Sequence, residues 1–222
     1  MQKLRMNSQE SKVVRVGENY KMVAYFIIKR IIDVIGALSG ILLLSPLMIV
    51  VGCLIKLDSK GVVFFKQKRV GQNGKDFIMY KFRSMSSDAE YLLDKLQDEN
   101  QMSGPMFKIK DDPRVTKVGK FIRKTSIDEL PQLFNILKGE MSLVGPRPSL
   151  AKEVAQFTFS QRQRLIAKPG LTCYWQLGGR SDVSFEEWME MDIKYIKERN
   201  TWIDIRLIFK TIGVLFGDDG AR

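Results

Sequence analysis

The chain has 222 residues, 45% of them hydrophobic, which is enough for one domain with a core of its own. A formal net charge of +11 points to an anionic partner: nucleic acid, an acidic membrane surface or a phosphorylated substrate. There is no histidine, which excludes Ser-His-Asp triads, histidine acid/base catalysis and HExxH zinc sites; the cysteines, Cys53 and Cys173, form no CxxC pair, so a reduced, cytoplasm-facing protein without a structural disulfide or zinc is expected.

Residues 1–20 are polar, lack periodicity and are expected to form a mobile tail. The first apolar run starts too late for a secretory signal peptide, and no A-x-A-like cleavage site follows it. That run is IIDVIGALSGILLLSPLMIVVGCLI at 31–55, with Asp33 as its sole charge. As one helix it would be about 37 Å long, enough to cross a bilayer core of about 30 Å. Ser45-Pro46 argues against a straight span. Proline removes a backbone hydrogen bond, and the arms 31–44 and 46–55 each reach only about half the membrane depth. Both flanks are basic as well: Lys21, Lys29 and Arg30 before, Lys56, Lys60, Lys66, Lys68 and Arg69 after. A positive-inside bias then favours both ends on the cytoplasmic side. The expectation is a re-entrant membrane helix broken at Ser45 and Pro46. Arg30 and Asp33, three residues apart, are expected to pair near the interface.

Residues 62–70 and 76–82 read as strands, with Asn73-Gly74 as the hairpin turn. From Lys56 to Arg83 there are eight basic residues and two acidic ones. This is either a solvated ribbon or a surface for lipid headgroups and substrate phosphates; a neighbouring membrane anchor favours the second. Ser87-Asp88-Ala89-Glu90 is a capping box that opens an amphipathic helix to about Gln97. Gly104-Pro105 breaks the chain, and KIKDDPR at 108–114 reads as a charged loop in which Asp111 and Asp112 serve a turn rather than a metal.

From Phe121 to Pro148 the chain reads FIRKTSIDELPQLFNILKGEMSLVGPRP. Ser126 and Asp128 are good N-cap residues, Pro131 belongs in a first helical turn, and Gly139 reads as the helix stop. Such a helix start offers unpaired N–H groups and a favourable dipole to an anion. Arg123 precedes the acids, and Arg147 follows in the stiff Gly145-Pro146-Arg147-Pro148. Two guanidinium groups flanking Asp128 and Glu129 suit a phosphate plus a divalent metal. Ser126 with Glu129 also fits a plain capping box, and the prolines fit an ordinary rigid loop; spacing alone leaves both readings open.

Residues 151–167 read as a helix ending at Lys168-Pro169-Gly170. LTCYWQL, Gly178-Gly179 and Arg180 follow, as a strand and tight turn or as a nucleotide-facing loop with Arg180 on phosphate and an aromatic against the base. Ser184 to Glu187 starts another capped helix. The last helix, 202–216, is apolar enough to pack on the core or to lie at the membrane interface. No internal repeat is visible.

Four strings carry a family resemblance: KFRSM at 81–85, DELPQL at 128–133, GEMSLVGPRP at 139–148 and PGLT at 169–172. In this order, over most of the chain, they resemble the catalytic core of the monotopic phosphoglycosyl transferases, the bacterial initiating sugar transferases. The resemblance implies an enzyme of the bacterial inner membrane, its catalytic domain on the cytoplasmic face. It would move a sugar-1-phosphate from a UDP-sugar to polyprenyl (undecaprenyl) phosphate and release UMP, the first membrane step of exopolysaccharide, capsule or glycoconjugate synthesis. It implies Asp128 as the nucleophile of a covalent aspartyl sugar-phosphate. Glu129 would hold Mg²⁺, or Mn²⁺, together with Asp128, or assist proton and charge management. Arg123, Arg147, Lys81, Arg83 and Arg180 are the expected phosphate- and substrate-binding residues. A Ser-Pro break at the position of Ser45 and Pro46 is a family feature too. Larger relatives carry an extra N-terminal transmembrane region that this chain is expected to lack. The GPMFKIKDDPR stretch resembles exopolysaccharide-type enzymes, which makes a hexose the expected sugar.

The expected fold is α+β, helix-dominated with a small β-hairpin or sheet: a tail at 1–20, a re-entrant membrane helix at 21–57, and a cytoplasmic catalytic domain with interfacial amphipathic helices at 58–222. Expected partners are a UDP-sugar, polyprenyl phosphate and membrane lipids, not nucleic acid; no oligomeric state is legible. The rival reading is a non-enzymatic, membrane-anchored basic module for anionic lipid or nucleic acid. It explains the charge and the apolar run without requiring Asp128-Glu129 beside Arg123 and Arg147. Aromatics interleave the basic ribbon (Phe64, Phe65, Phe77, Tyr80, Phe82), so composition does not reject it.

Overall fold

Helix α1, Tyr20–Asp58, is 39 residues long, which corresponds to about 58 Å. The structure, a computed structural model, describes residues 20–93, 96, 109, 111–177 and 183–215. The expected tail up to residue 19, the far end of the helix expected to reach Gln97, and Arg180 lie outside the described residues. Within Met22–Asp58 an 18-residue window of α1 reaches a mean hydropathy of 2.5, and α1 is the one helix among the described residues long and apolar enough to cross a membrane. Leu42, Leu43, Ile49 and Leu57 stand exposed, while Tyr25, Asp33, Ala37, Val51 and Ile55 are buried against the rest of the fold.

The expected break at Ser45 and Pro46 does not end the helix: α1 stays helical through Pro46. The missing Pro46 N–H would have bonded the Leu42 carbonyl, four residues back. The Ser45 hydroxyl donates to that same carbonyl at 3.0 Å, so the acceptor is not orphaned. The expected Arg30–Asp33 pair is not made either. Arg30 donates to the carbonyls of Ile136 and Leu137, both at 2.7 Å, and Asp33 Oδ1 accepts from Ser142 Oγ at 2.9 Å and Leu143 N at 2.8 Å. Both side chains therefore tie α1 to the segment that follows the acids.

Strands β1 (Phe64–Val70) and β2 (Asp76–Phe82) pair antiparallel, in register from Phe64↔Phe82 to Val70↔Asp76. Asn73, at φ 56°, and Gly74, at φ 77°, take the left-handed conformations that the turn demands. After α2 (Ala89–Leu93) comes α3 (Lys117–Lys124), an element the sequence reading did not foresee. Thr116 caps it, accepting from Gly119 N at 3.0 Å. A 3₁₀ turn, Ile127–Glu129, precedes α4 (Gln132–Lys138), and Gly139 closes α4 at φ 81° as expected.

Strand β3 (Ser142–Val144) pairs in parallel with β4 (Gly170–Thr172). The expected single helix at 151–167 is split into α5 (Ala151–Ala155) and α6 (Phe159–Arg162), which runs on as a 3₁₀ turn to Ile166. Thr158 sits extended between them and caps α6, with Gln161 reaching back to Thr158 N. Helix α7 (Tyr174–Leu177), α8 (Phe185–Glu198, with its Ser184–Glu187 capping box) and α9 (Thr201–Leu215) complete the chain. Ala37, Phe77, Met79, Leu133, Ile136 and Met141 form the core cluster where α1, the hairpin and α4 meet. Val51, Ile55, Phe82 and Ile122 form a second one between α1, β2 and α3.

Candidate active site

Asp128 and Glu129 do not start a regular helix. They lie in the 3₁₀ turn ahead of α4, whose N-cap is Pro131, and the expected Ser126 capping box is not formed. Ser126 instead takes a left-handed conformation (φ 57°), a strained arrangement for a residue with a Cβ, and turns the chain into the acids. Asp128 is buried and Glu129 half-buried.

Asn135 fixes this turn against the hairpin. Its side chain accepts from Tyr80 N at 3.0 Å and donates to the Ile78 carbonyl and Glu140 Oε2, both at 2.7 Å. The α4–β2 contact puts Lys81, on the neighbouring stretch of β2, beside the acids: Lys81 Nζ lies 2.6 Å from Glu129 Oε1 and 3.9 Å from Asp128 Oδ2. Burial raises the Asp128 carboxyl above the usual carboxylate range, and the Glu129 charge adds to this. Lys81, then Arg123 and Arg147, pull the other way. Burial is the largest cause, so the carboxylate is held in a higher-energy form than in water.

Two further strings meet across β3 and β4. Gly145 N donates to Thr172 O, and Gly170 N donates to Pro146 O, both at 2.9 Å. The backbones approach so closely that a Cβ on Gly170 would collide with Gly145. This seats Arg147 and Pro148 on the same narrow cleft as Lys81, Glu129, Gln132, Leu171 and Gln176. The Arg147 guanidinium also lies 5.7 Å from the Trp175 ring centre.

Arg69 lines the cleft as well and was not singled out from the sequence. It is buried, donates to Pro148 O at 3.0 Å and is held by Gln67. Burial and the neighbouring Arg147 pull its pKa down to about 10, while Glu153 and Glu129 oppose them. Gln132, also buried in the cleft, was likewise unmarked beyond its place in DELPQL.

Arg83 was expected on phosphate but is buried at the C-terminal end of α1, donating to the Ser59 and Lys60 carbonyls. That end of a helix presents unpaired carbonyls, which a guanidinium satisfies. Arg123 is exposed at the end of α3, near enough for its charge to favour the Asp128 carboxylate. Asp112 pairs with Arg114 at 2.7 Å, the turn role expected of it. Cys53 and Cys173 are free, and burial pushes the Cys173 thiol well up.

Among the described residues no cluster of three or more His, Cys, Asp or Glu side chains could hold a metal ion. Asp128 and Glu129 together offer two hard carboxylates. That donor set fits magnesium, which takes one or two protein carboxylates and completes its shell with water and substrate phosphates. The arrangement can therefore present a buried carboxylate to a phosphoryl group whose charge is met by Lys81, Arg69 and Arg147.

Residues 24–218 match the model of a family described as bacterial sugar transferase. The chain is 44% identical over 221 residues to galactosyl transferase CpsE of Streptococcus agalactiae, covering 95% of this chain and 49% of that protein. It is 40% identical over 218 residues to undecaprenyl-phosphate galactose phosphotransferase of Salmonella typhimurium, covering 96% of this chain and 46% of that one. It thus spans about half the length of these relatives. With exopolysaccharide production protein ExoY of Sinorhizobium fredii it shares 40% identity over 188 residues, 83% of each chain.

Proposed function

The chain belongs to the bacterial sugar transferase family, and on that premise we propose that it moves a hexose-1-phosphate from a UDP-hexose to undecaprenyl phosphate. The observation that carries this reading is the buried Asp128 carboxylate, lifted in energy and set beside Lys81 at the cleft that Arg69 and Arg147 line. The names of the Salmonella and Streptococcus relatives support galactose as the first sugar to test.

An Asp128 oxygen attacks the β-phosphorus of the UDP-sugar. The bond from that phosphorus to the bridging oxygen breaks, UMP leaves with the electron pair, and an aspartyl sugar-phosphate remains. An oxygen of undecaprenyl phosphate then attacks the same phosphorus, forming the lipid-linked diphosphate and freeing the Asp128 carboxylate. Lys81, Arg69 and Arg147 hold the phosphates and offset the charge on their oxygens. Lys81 also favours the ionised form of Asp128 against the effect of its burial. Asp128 and Glu129 would hold magnesium or manganese, which when bound would neutralise phosphate charge.

The proposal includes a place for the reaction. Pro46 removes one helix hydrogen bond and lets α1 bend, so that it enters the inner membrane from the cytoplasmic side and returns to it, and residues 58–222 work as a cytoplasmic domain at the headgroup level. The basic residues at both flanks of α1 support this.

The test is UMP release by the purified full chain over a panel of UDP-sugars, first without and then with undecaprenyl phosphate. One donor should give UMP in an amount matching the enzyme before acceptor is added, and continuous release afterwards. UMP release that always requires acceptor would overturn the covalent route. No release with any donor would overturn the transferase reading in favour of a binding module.

A further inference from the structure

A second cavity, of about 260 Å³, lies between α1, the end of β3 at Val144 and the segment 166–168 that leads into β4. It shares no lining residue with the cleft at the acids. Phe26, Lys29, Arg30 and Asp33 reach it from one stripe of α1, spaced as one helix face requires. Lys168 and Arg199 reach it from the loops before β4 and after α8.

Four cations and one carboxylate therefore meet here. The carboxylate is already committed, since Asp33 Oδ1 accepts from Ser142 and Leu143. Two of the cations are matched: Lys29 pairs with Asp204 at 2.7 Å, and Arg30 holds the carbonyls at the end of α4. The other two are not. Lys168, half-buried, has no ion-pair partner among the described residues. Arg199 is only 8% exposed, its Nε has no hydrogen-bond partner, and its guanidinium lies 5.1 Å from the Phe26 ring centre. Burial, and then Arg30, pull the Lys168 pKa below the ordinary lysine value, with Lys29 adding to this and Asp33 opposing it. Unmatched buried cations are costly, and a guanidinium with free donors in a cavity is a ready partner for a phosphate.

We propose that this cavity binds the phosphate group of an anionic phospholipid headgroup. Phe26 to Asp33 lie where the exposed apolar surface of α1 begins, with Ile27, Ile28 and Ile31 on its outer side. With α1 in the membrane, the cavity stands at the level of the lipid phosphates. Lys168 and Arg199 hold the phosphate oxygens, and the acyl chains lie along the outer face of α1. The lipid bound here is separate from the transferred substrates, and it locks α1 to β3 and β4 by supplying the missing negative charge.

The experiment uses the purified full chain in detergent, with phosphatidylglycerol, phosphatidylcholine and inorganic phosphate as probes. Native mass spectrometry reads lipid retention, and thermal unfolding reads the phosphate response. The wild type should retain phosphatidylglycerol over phosphatidylcholine. Lys168→Gln should weaken that retention about fivefold, the loss expected for one cation near a lipid headgroup. Lys168→Arg should restore it. Lys75→Gln, the same charge loss at the exposed hairpin turn, and Asp128→Asn should leave it unchanged. Without lipid, Lys168→Gln should melt no lower than wild type, because it removes a repelled charge. Stabilisation by inorganic phosphate without lipid retention would assign the site to a soluble phosphate and overturn the lipid assignment. Equal retention by wild type and Lys168→Gln, or no response of the wild type to either probe, would overturn the site itself.

Discussion

At the scale of single residues, the site turns on a carboxyl group placed where burial disfavours its charge. Asp128 has a folded pKa above its unfolded value. It therefore costs stability at neutral pH, and that cost disappears as pH falls through the raised folded value. Asp128→Asn removes the charge and keeps the shape, so its Tm should lie above wild type at neutral pH, with the gap closing in acid. The same variant should lose turnover by at least about a thousandfold and fail to take label from a UDP-sugar labelled at its β-phosphate. A melting comparison beside a labelling assay checks both halves. Lys81→Met should lower kcat/KM by about 10²–10³-fold, as loss of one preorganised phosphate partner does. It should also move the acid limb of the pH profile upward, because Lys81 is the chief group opposing the raised Asp128 pKa. Asp128, Glu129 and Lys81 were legible because they stand in strings that resemble the family. Arg69 and Gln132 were not, since one looks like any basic strand residue and the other like any polar residue beside a helix start. Arg83 misled for the opposite reason: it stands in a family-like string, but its partners are carbonyls more than twenty residues upstream.

At the scale of elements, α4 is aligned by Asn135, which joins it to the β2 backbone. Asn135→Ala would leave the part-buried Tyr80 N–H and Ile78 carbonyl without this partner, costing at most about 2–6 kcal/mol at roughly 1–3 kcal/mol for each group. It should also lower turnover, by letting the acids drift from Lys81. Thermal unfolding and UMP release on one sample separate the two effects. The hairpin was legible from Asn73-Gly74, because its turn chemistry is local. The parallel β3–β4 pair was not, since three-residue strands carry too little alternation and their partners are far apart in sequence. The split between α5 and α6 depends on Thr158 and Gln161 capping each other, a local choice that the apolar pattern hides. Helix α3 has helical spacing, with Val118 and Ile122 turned to the core, but its eight residues are too short a stretch for that pattern to stand out.

At the scale of the whole molecule, the apolar run was legible, but that α1 stays helical through Pro46 was not, because a proline can bend a helix without ending it. The proposed topology puts residues 21 and 60 on the cytoplasmic side. Single cysteines there, in a Cys53→Ser background, should stay unlabelled in intact cells by an impermeant thiol reagent and react after lysis. Labelling of one of them from outside would establish a straight span. Excess EDTA should abolish turnover, and magnesium should restore it; full activity in EDTA would remove the metal from the site.

Helix α1 is fastened to the catalytic fold near both of its ends, by Arg30 and Asp33 at one and by Val51 and Ile55 at the other. On the membrane placement proposed above, these two anchor points would tie the part immersed in lipid closely to the part that performs the chemistry. The height of Asp128 above the hydrocarbon is then a fixed dimension of the protein, and a bilayer of the wrong thickness must deform to meet it. On that placement the protein would act as a gauge of its membrane. In nanodiscs of graded acyl-chain length, turnover should peak at one thickness and fall on either side, while UMP release before acceptor is added stays level.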